Sequence, residues 1–383
     1  MRWRCIAIPL CLGLLAGCAS APPTVALPWR DADFAHDPAL VKTSKAELFR
    51  LDAALVAELR AATDLTRDPR QRSDQLVALL FDRAAGGFTY AAGHSTPAMQ
   101  TWTERRGDCL SLTVLTYALA RAAGVDAHMQ EVRVPALLDR RGNIDFLNRH
   151  VNVLVRLQTP TAPGRRNGSA APALVIDFEP AVGSFREGTP LSDDAILARY
   201  YNNLAVEHYA RGEDAAAYAH FKAAIGADPR FAPSYGNLAQ LYVRRGYAAE
   251  AEQLLRQAVA LTDAADLSLW RLHQLLLAQG RSAEAAQFEA LLHTRRERDP
   301  YYWLGVGVER LRARDYGPAI AALQRAQSMS QGFDEVHRYL ALAYWRAGET
   351  RLAQEQLAVL AGRGLEDPAY VALRAKFDRA TAQ

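Results

Sequence analysis

Three residues stand where they could act on one another. Cys109 follows Gly107-Asp108 and precedes an apolar run, Leu110 to Ala123, closed by Gly124. That run reads as a helix with Cys109 at its N-terminus, where the partial positive charge of the helix end favours thiolate over thiol. His150 opens a second apolar run, His150 to Leu157, with strand character. Asp177 falls near the end of a third, Ala173 to Phe178, and Pro180 follows. A nucleophilic thiol needs a base, and the base needs a group that fixes its ring. Two neighbouring strands lying against the cysteine helix would supply both. The competing reading of Cys109 is a small core residue.

His94 and His128 are alternative bases, each near the end of a predicted element. Asp108, Asp139 and Asp145 are alternative carboxylates, although Asp108 is better placed to cap the helix. No His/Cys cluster has zinc spacing, and no glycine loop is built to cradle phosphate, so neither a metal nor a cofactor is expected. The basic pairs Arg140-Arg141 and Arg165-Arg166 read as loop charges. Forty-five basic against 42 acidic side chains leave a net charge of +3, too little for a nucleic-acid surface.

The elements around these residues describe a mixed domain over residues 45–195. Ala46 to Ala62 and Pro69 to Ala84 read as amphipathic helices. Ser95-Thr96-Pro97 starts a third, with Thr96 as N-cap and Pro97 at the first helical position. Val125 to Val134 joins the two strands already named, and Thr159 to Pro172 reads as a loop or insertion. Helices first and antiparallel strands after them argue an α+β domain. Tyr90 and Trp102 lie upstream as possible second oxyanion donors beside the Cys109 amide.

The N-terminus reads as an address. Arg2 and Arg4 precede an apolar stretch, Ile6 to Leu15, that is too short to span a bilayer. Leu15-Ala16-Gly17-Cys18 resembles the lipobox of bacterial lipoproteins. The resemblance implies a signal peptide over residues 1–17 and acylation of Cys18. It implies a chain anchored in the cell envelope by lipid, at the outer membrane facing the periplasm, since Ala19 follows where Asp would signal retention. Residues 18–44, with Pro22, Pro23 and Pro28, read as lipidated N-terminus and tether. Four cysteines then do not make two disulfides. Cys5 and Cys11 leave with the signal, Cys18 carries lipid, and Cys109 remains as a thiol.

From about Ala198 the chain repeats. Ala217, Ala251, Ala285, Ala319 and Ala353 recur every 34 residues. Leu204, Leu238, Leu272, Val306 and Leu340 precede them at a fixed offset, as do Gly212, Gly246, Gly280, Arg314 and Gly348. This is the tetratricopeptide signature, five units over residues 198–365, with a capping helix over 366–383. Small residues let paired helices approach, and glycine ends the first helix of each pair in a left-handed conformation. The third unit is looser, with His273 in place of a small residue and Glu289 in place of a large apolar one. Such arrays offer a concave groove, so a peptide or protein partner is expected there. Tyr200, Tyr201, Tyr209, Tyr235, Tyr242, Trp270, Trp303 and Tyr344 read as helix-packing residues.

Gly107-Asp108-Cys109 before a long apolar helix, His150 opening an apolar strand, and Asp177 before Pro180 resemble the transglutaminase-like superfamily over roughly Gln71 to Pro180. Leu110-Ser111-Leu112 and Val151-Asn152-Val153 depart from the polar and Trp-Val segments common in that superfamily. The resemblance implies a papain-like α+β domain with a Cys109–His150–Asp177 triad. It implies a cysteine hydrolase or acyltransferase, with hydrolysis of an amide in a peptide or protein recruited by the repeats as the leading expectation. The alternative is a non-enzymatic adaptor, in which the repeats bind envelope proteins and the first domain is inactive.

Overall fold

A computed structural model of the chain describes residues 26–62, 69–81, 87–91, 93–132, 138–141, 144–147, 150–156, 173–178, 188–262, 265–329 and 334–362. The expected signal peptide, Cys18, the Thr159 to Pro172 insertion, Pro180 and the capping helix lie outside the described residues.

The first domain opens with helices. Ser44 and Glu47 form a reciprocal capping box on α1 (Lys45–Leu48). Asp52 then accepts from the Leu55 amide at 2.8 Å and starts α2 (Ala53–Ala62) afresh. The single helix expected over Ala46 to Ala62 is therefore two, because an Asp side chain outcompetes the helical carbonyl for that amide. After α3 (Pro69–Phe81) come β1 (Thr89–Tyr90), α4 (Ala98–Glu104) and β2 (Arg106–Gly107), with β1 and β2 parallel. Helix α5 (Cys109–Ala122) follows, and Gly124 leaves it at φ 62°.

The strands that follow are β3 (Ala127–Val132), β4 (Leu138–Arg141), β5 (Ile144–Leu147), β6 (His150–Arg156), β7 (Ala173–Ile176) and β8 (Thr189–Pro190). One antiparallel sheet has the order β7-β6-β3-β8, while β4 and β5 form a separate hairpin. Arg140-Arg141 thus belongs to a strand, not to a loop. Alternation along β6 divides the sheet. Val151, Val153 and Val155 point to one face and are buried in a core that includes Met129, Ile176 and Val114 and Leu115 of α5. His150 and Asn152 point to the other.

Among the described residues the second region is all helix, in five successive pairs: α6 (Asp193–Ala210) with α7 (Asp214–Ala227), α8 (Ala232–Arg244) with α9 (Ala248–Leu261), α10 (Asp266–Ala278) with α11 (Ser282–Arg298), α12 (Pro300–Arg312) with α13 (Tyr316–Met329), and α14 (Asp334–Arg346) with α15 (Thr350–Gly362). All five periodic alanines are 0% exposed, which accounts for their column. In the looser third pair, His273 Nδ1 donates to the Ala285 carbonyl at 3.0 Å, so the imidazole bridges two helices where a small residue was expected.

Two findings revise the expected boundaries. Helix α6 belongs to both regions: Ile196, Leu197, Tyr200 and Tyr201 are buried in the core of the first, Ala205 and Val206 in that of the repeats. Residues 26–36, expected as tether, are bound along α7 to α9. Phe34, 3% exposed, stacks on Tyr218 at 4.6 Å and on Tyr242 at 5.5 Å. Tyr242 donates to the Pro28 carbonyl at 2.7 Å, Tyr218 to Asp31 at 2.8 Å, and Lys222 holds Asp31 at 2.7 Å. Aromatic burial and an ion pair make this segment a strap.

Candidate active site

The Gly-Asp-Cys sequence has a local explanation residue by residue. A Cβ at Gly107 would lie 2.8 Å from Ser111 Cβ and 3.2 Å from Thr101 Cγ2, so only glycine allows this approach of chain to helix. Asp108 is the N-cap of α5: its Oδ1 accepts from the Ser111 amide at 2.8 Å and the Ser111 hydroxyl at 2.7 Å. Its Oδ2 accepts from Ser95 Oγ. Cys109 is then the first helical residue, 5% exposed, at the end where four amides lack helical partners.

The expected start of α4 is shifted by one residue. Pro97 is the N-cap and makes no side-chain cap bond. Thr96 turns inward instead: its amide donates to Ser111 Oγ at 2.8 Å and its hydroxyl pairs with Thr101 at 2.7 Å. The pull of the buried Ser111 on this loop outweighs the usual capping role of threonine.

His150 and Asp177 meet directly. The imidazole Nε2–H donates to both carboxylate oxygens, at 2.8 and 2.7 Å, with side chains 5% and 10% exposed. Using Nε2 in this way leaves Nδ1 as the ring nitrogen able to accept a proton. Two further residues complete the arrangement. Asn152 Nδ2 donates to Asp177 Oδ2 at 3.1 Å, and Gln130 Nε2 donates to Asn152 Oδ1 at 2.9 Å. Gln130 lies directly opposite Asn152 in the β3–β6 ladder, and both are at most 1% exposed. Helix α5 and strand β6 are joined where Thr113 Oγ1 donates to the Val151 carbonyl at 3.2 Å. Thr113 is one turn beyond Cys109, and Val151 adjoins His150.

The alternative residues lie elsewhere. His94 Nε2 pairs with Glu104 at 2.5 Å. His128 sits on β3 opposite Leu154, and its burial, with Arg156 nearby, pushes it below the ordinary histidine range. Asp139 and Asp145 belong to the β4–β5 hairpin. Tyr90 pairs with Gly107 across β1–β2, and Trp102 is stacked under Arg105 at 4.0 Å. The repeats reach this place as well. Asn203 of α6 donates to Ser95 Oγ at 3.1 Å and to Asp108 Oδ2 at 3.4 Å, and the Ser95 amide donates to Glu207 of α6 at 3.4 Å.

Asn152, Gln130 and Asn203 are the residues sequence reasoning passed over as site residues. Asn152 carried a signal, a lone amide between valines in a buried strand, as did Gln130 in β3. Trp270 also differs from expectation: it is 44% exposed on α10, with Leu277 on the same helix and Val243 on α8 also exposed.

The tetratricopeptide repeat family matches residues 232–264, the α8–α9 pair. With five helix pairs in the same register, the C-terminal region is a tetratricopeptide-repeat region following a mixed α/β region with a small antiparallel sheet. Among solved structures, Pseudomonas aeruginosa pilF is similar at 17% identity, covering 50% of this chain and 87% of its own, with a TM-score of 0.27. YrrB, described as a TPR protein with an unusual peptide-binding site, is similar at 16% identity, covering 46% and 92%, with a TM-score of 0.25. The APC/C Cut9-Hcn1 assembly is similar at 18% identity over 42% of this chain, which spans 32% of that one, with a TM-score of 0.25. No curated protein matches the sequence.

Proposed function

We propose that the chain is a lipid-anchored envelope enzyme of the transglutaminase-like type that hydrolyses an amide in a peptide or protein held by its repeats. The observation that carries this reading is the buried His150–Asp177 pair, in which Nε2 is committed to the carboxylate and Nδ1 is left to serve a thiol. Cys109, at the start of an Asp-capped helix tied to the histidine strand, is that thiol.

In this mechanism His150 Nδ1 takes the Cys109 proton. The thiolate attacks the amide carbonyl, and a tetrahedral oxyanion forms within reach of the Cys109 amide. His150 then protonates the leaving amine, and water, deprotonated by His150, releases the acid and restores the thiol. Asp177 holds the ring and stabilises the imidazolium while it carries the proton. Contacts of Asn203 and Glu207 with Ser95 and Asp108 run the first repeat helix up to the cysteine loop, which favours a substrate delivered from the repeats. Acylation of Cys18 and an outer-membrane address complete the proposal.

The test is alkylation of Cys109 by iodoacetamide against pH, with hydrolysis of a peptide p-nitroanilide measured in parallel. The expected result is thiolate reactivity well below the free-thiol pKa of about 8.5, lost in His150→Ala, together with turnover lost in Cys109→Ala. Reactivity that follows an unperturbed thiol in both proteins refutes the enzyme reading. Full complementation of a deletion by Cys109→Ala would favour the adaptor.

A further inference from the structure

The fourth and fifth helix pairs line an open cleft of about 370 Å³ that neither the cysteine site nor the strap uses. Leu311, Leu342 and Tyr339 give it an apolar wall, and Arg312, Arg314 and Arg346 rim it. Arg312 and Arg346 stand at the ends of α12 and α14, where a cation answers the helix carbonyls. Arg314 follows the end of α12 and is set apart by its backbone. It closes the turn after α12 at φ 60°, the left-handed conformation held by Gly212, Gly246, Gly280 and Gly348 in the other four pairs at 74–86°. Glycine adopts that conformation freely and a side chain does so at a cost. A Cβ at any of those four glycines would meet nothing within 4 Å, so packing does not demand a side chain in this turn.

What Arg314 adds is therefore its guanidinium. Among the described residues none of the three arginines has an ion-pair partner, and the neighbouring Asp315 is engaged by Arg310 at 3.2 Å. Three uncompensated guanidiniums around an apolar wall form a cleft for an anion with an apolar flank. Guanidinium forks match carboxylates, and tyrosine and leucine walls match a large side chain.

We propose that this cleft is a recognition pocket for a peptide carrying a carboxylate beside a large apolar residue. The proposal rests on the reading that the repeats bind peptides and is independent of catalysis at Cys109. It makes Arg314 a residue that trades conformational ease for ligand charge.

The experiment uses the full chain lacking its signal, with Cys109→Ala to prevent turnover, and fluorescence anisotropy with three labelled hexapeptides centred on Phe-Glu, Phe-Gln and Ala-Glu. Phe-Glu is expected to bind most tightly. Arg314→Gly is expected to weaken it about ten- to a hundredfold, the loss of one charge-assisted contact, while raising the melting temperature. Equal binding of Phe-Glu and Phe-Gln, both unaffected by Arg314→Gly and both lost in Trp270→Ala, overturns the pocket but leaves peptide binding by the repeats standing. Absence of saturable binding by any peptide overturns both. A lower melting temperature in Arg314→Gly makes the arginine structural and overturns the proposal. So does arginine-dependent binding of phosphatidylglycerol vesicles without peptide binding, which assigns the charge to a membrane surface.

Discussion

Asn152→Leu separates the amide's part in holding the sheet from its part in holding Asp177. The side chain is fully buried and makes two hydrogen bonds, one to a carboxylate at 3.1 Å and one from Gln130 at 2.9 Å. Leucine is close in size and offers neither bond. The Gln130 amide is stranded, at about 1–3 kcal/mol for an unsatisfied buried donor, and Asp177 loses a donor worth about 1.5–3 kcal/mol to a charged group. Leucine's own burial offsets part of this, so the expected loss is about 2–4 kcal/mol. Gln130→Met added to Asn152→Leu removes the stranded partner as well, and about 1–3 kcal/mol should return, because replacing both members of a buried pair by apolar groups is nearly neutral.

Hydrogen exchange at the β3 and β6 amides reads these free energies in the sheet itself. The double variant should approach wild-type protection while its pH–rate profile stays displaced, since Asp177 still lacks the donor that fixes its rotamer. Equal protection in the single and double variants would refute the Gln130–Asn152 bond. A wild-type pH profile in the stable double variant would refute the claim that Asn152 positions Asp177.

Asp177→Asn keeps the shape of the pair but presents an amide to Nε2; kcat on the p-nitroanilide should fall about a thousand- to ten-thousandfold with little change in melting temperature. Gly107→Ala places a Cβ 2.8 Å from Ser111 Cβ and should cost about 1–3 kcal/mol by overpacking; an unchanged urea midpoint sinks that account. Hydrogen bonds from Lys222 and Tyr218 hold the Asp31 carboxyl below the usual carboxylate range. Its contribution to strap binding is therefore complete above about pH 4 and lost as the pH falls through the lowered value, read by release of Trp29 fluorescence. Burial pushes Tyr242 up to about 12, so the same strap should loosen as the pH rises above the unfolded tyrosine value of about 10.

How far these residues were legible depended on whether the cause was local. Helix α5, its glycine stop and the repeat columns follow from period, small residues and turn chemistry within a few positions of each other. The 0% exposure of Ala217, Ala251, Ala285, Ala319 and Ala353 is that periodicity seen from inside. His150 and Asp177, expected together from their places on two strands, are bonded at 2.7 Å. The misread features have distant causes. Thr96 leaves its capping role because Ser111, fifteen residues on, takes its amide. Residues 26–36 read as part of a tether because the aromatic surface that binds them, Tyr218 and Tyr242, lies 188 and 214 residues away along the chain. Gln130 and Asn152 each look like a lone polar residue in a strand until the β3–β6 register sets them opposite one another.

Helix α6 ties these separate elements into one device. Its first half buries Ile196 and Tyr200 in the core that also holds α5, while its second half starts the repeat core with Ala205 and Val206. Between them, Asn203 reaches the oxygen of Asp108 that α5's first turn leaves free for Ser95. A rigid helix spanning two cores cannot tilt in one without moving in the other. Any force on the first repeat pair therefore reaches the cysteine helix through α6, by its residues buried beside α5 and by Asn203 and Glu207 at the cysteine loop. The strap lies across α7 to α9 and holds the second helix of the same pair through Tyr218 and Lys222. Asn203→Ala should accordingly leave the repeat core intact and change the reactivity of Cys109. The direction follows from Asp108: with one donor fewer on its carboxylate, the N-cap holds the first turn of α5 less firmly, the helix end stabilises the thiolate less, and the midpoint of Cys109 alkylation should move to higher pH. Unchanged alkylation across the pH range would mean that the two regions share a helix but not a mechanism.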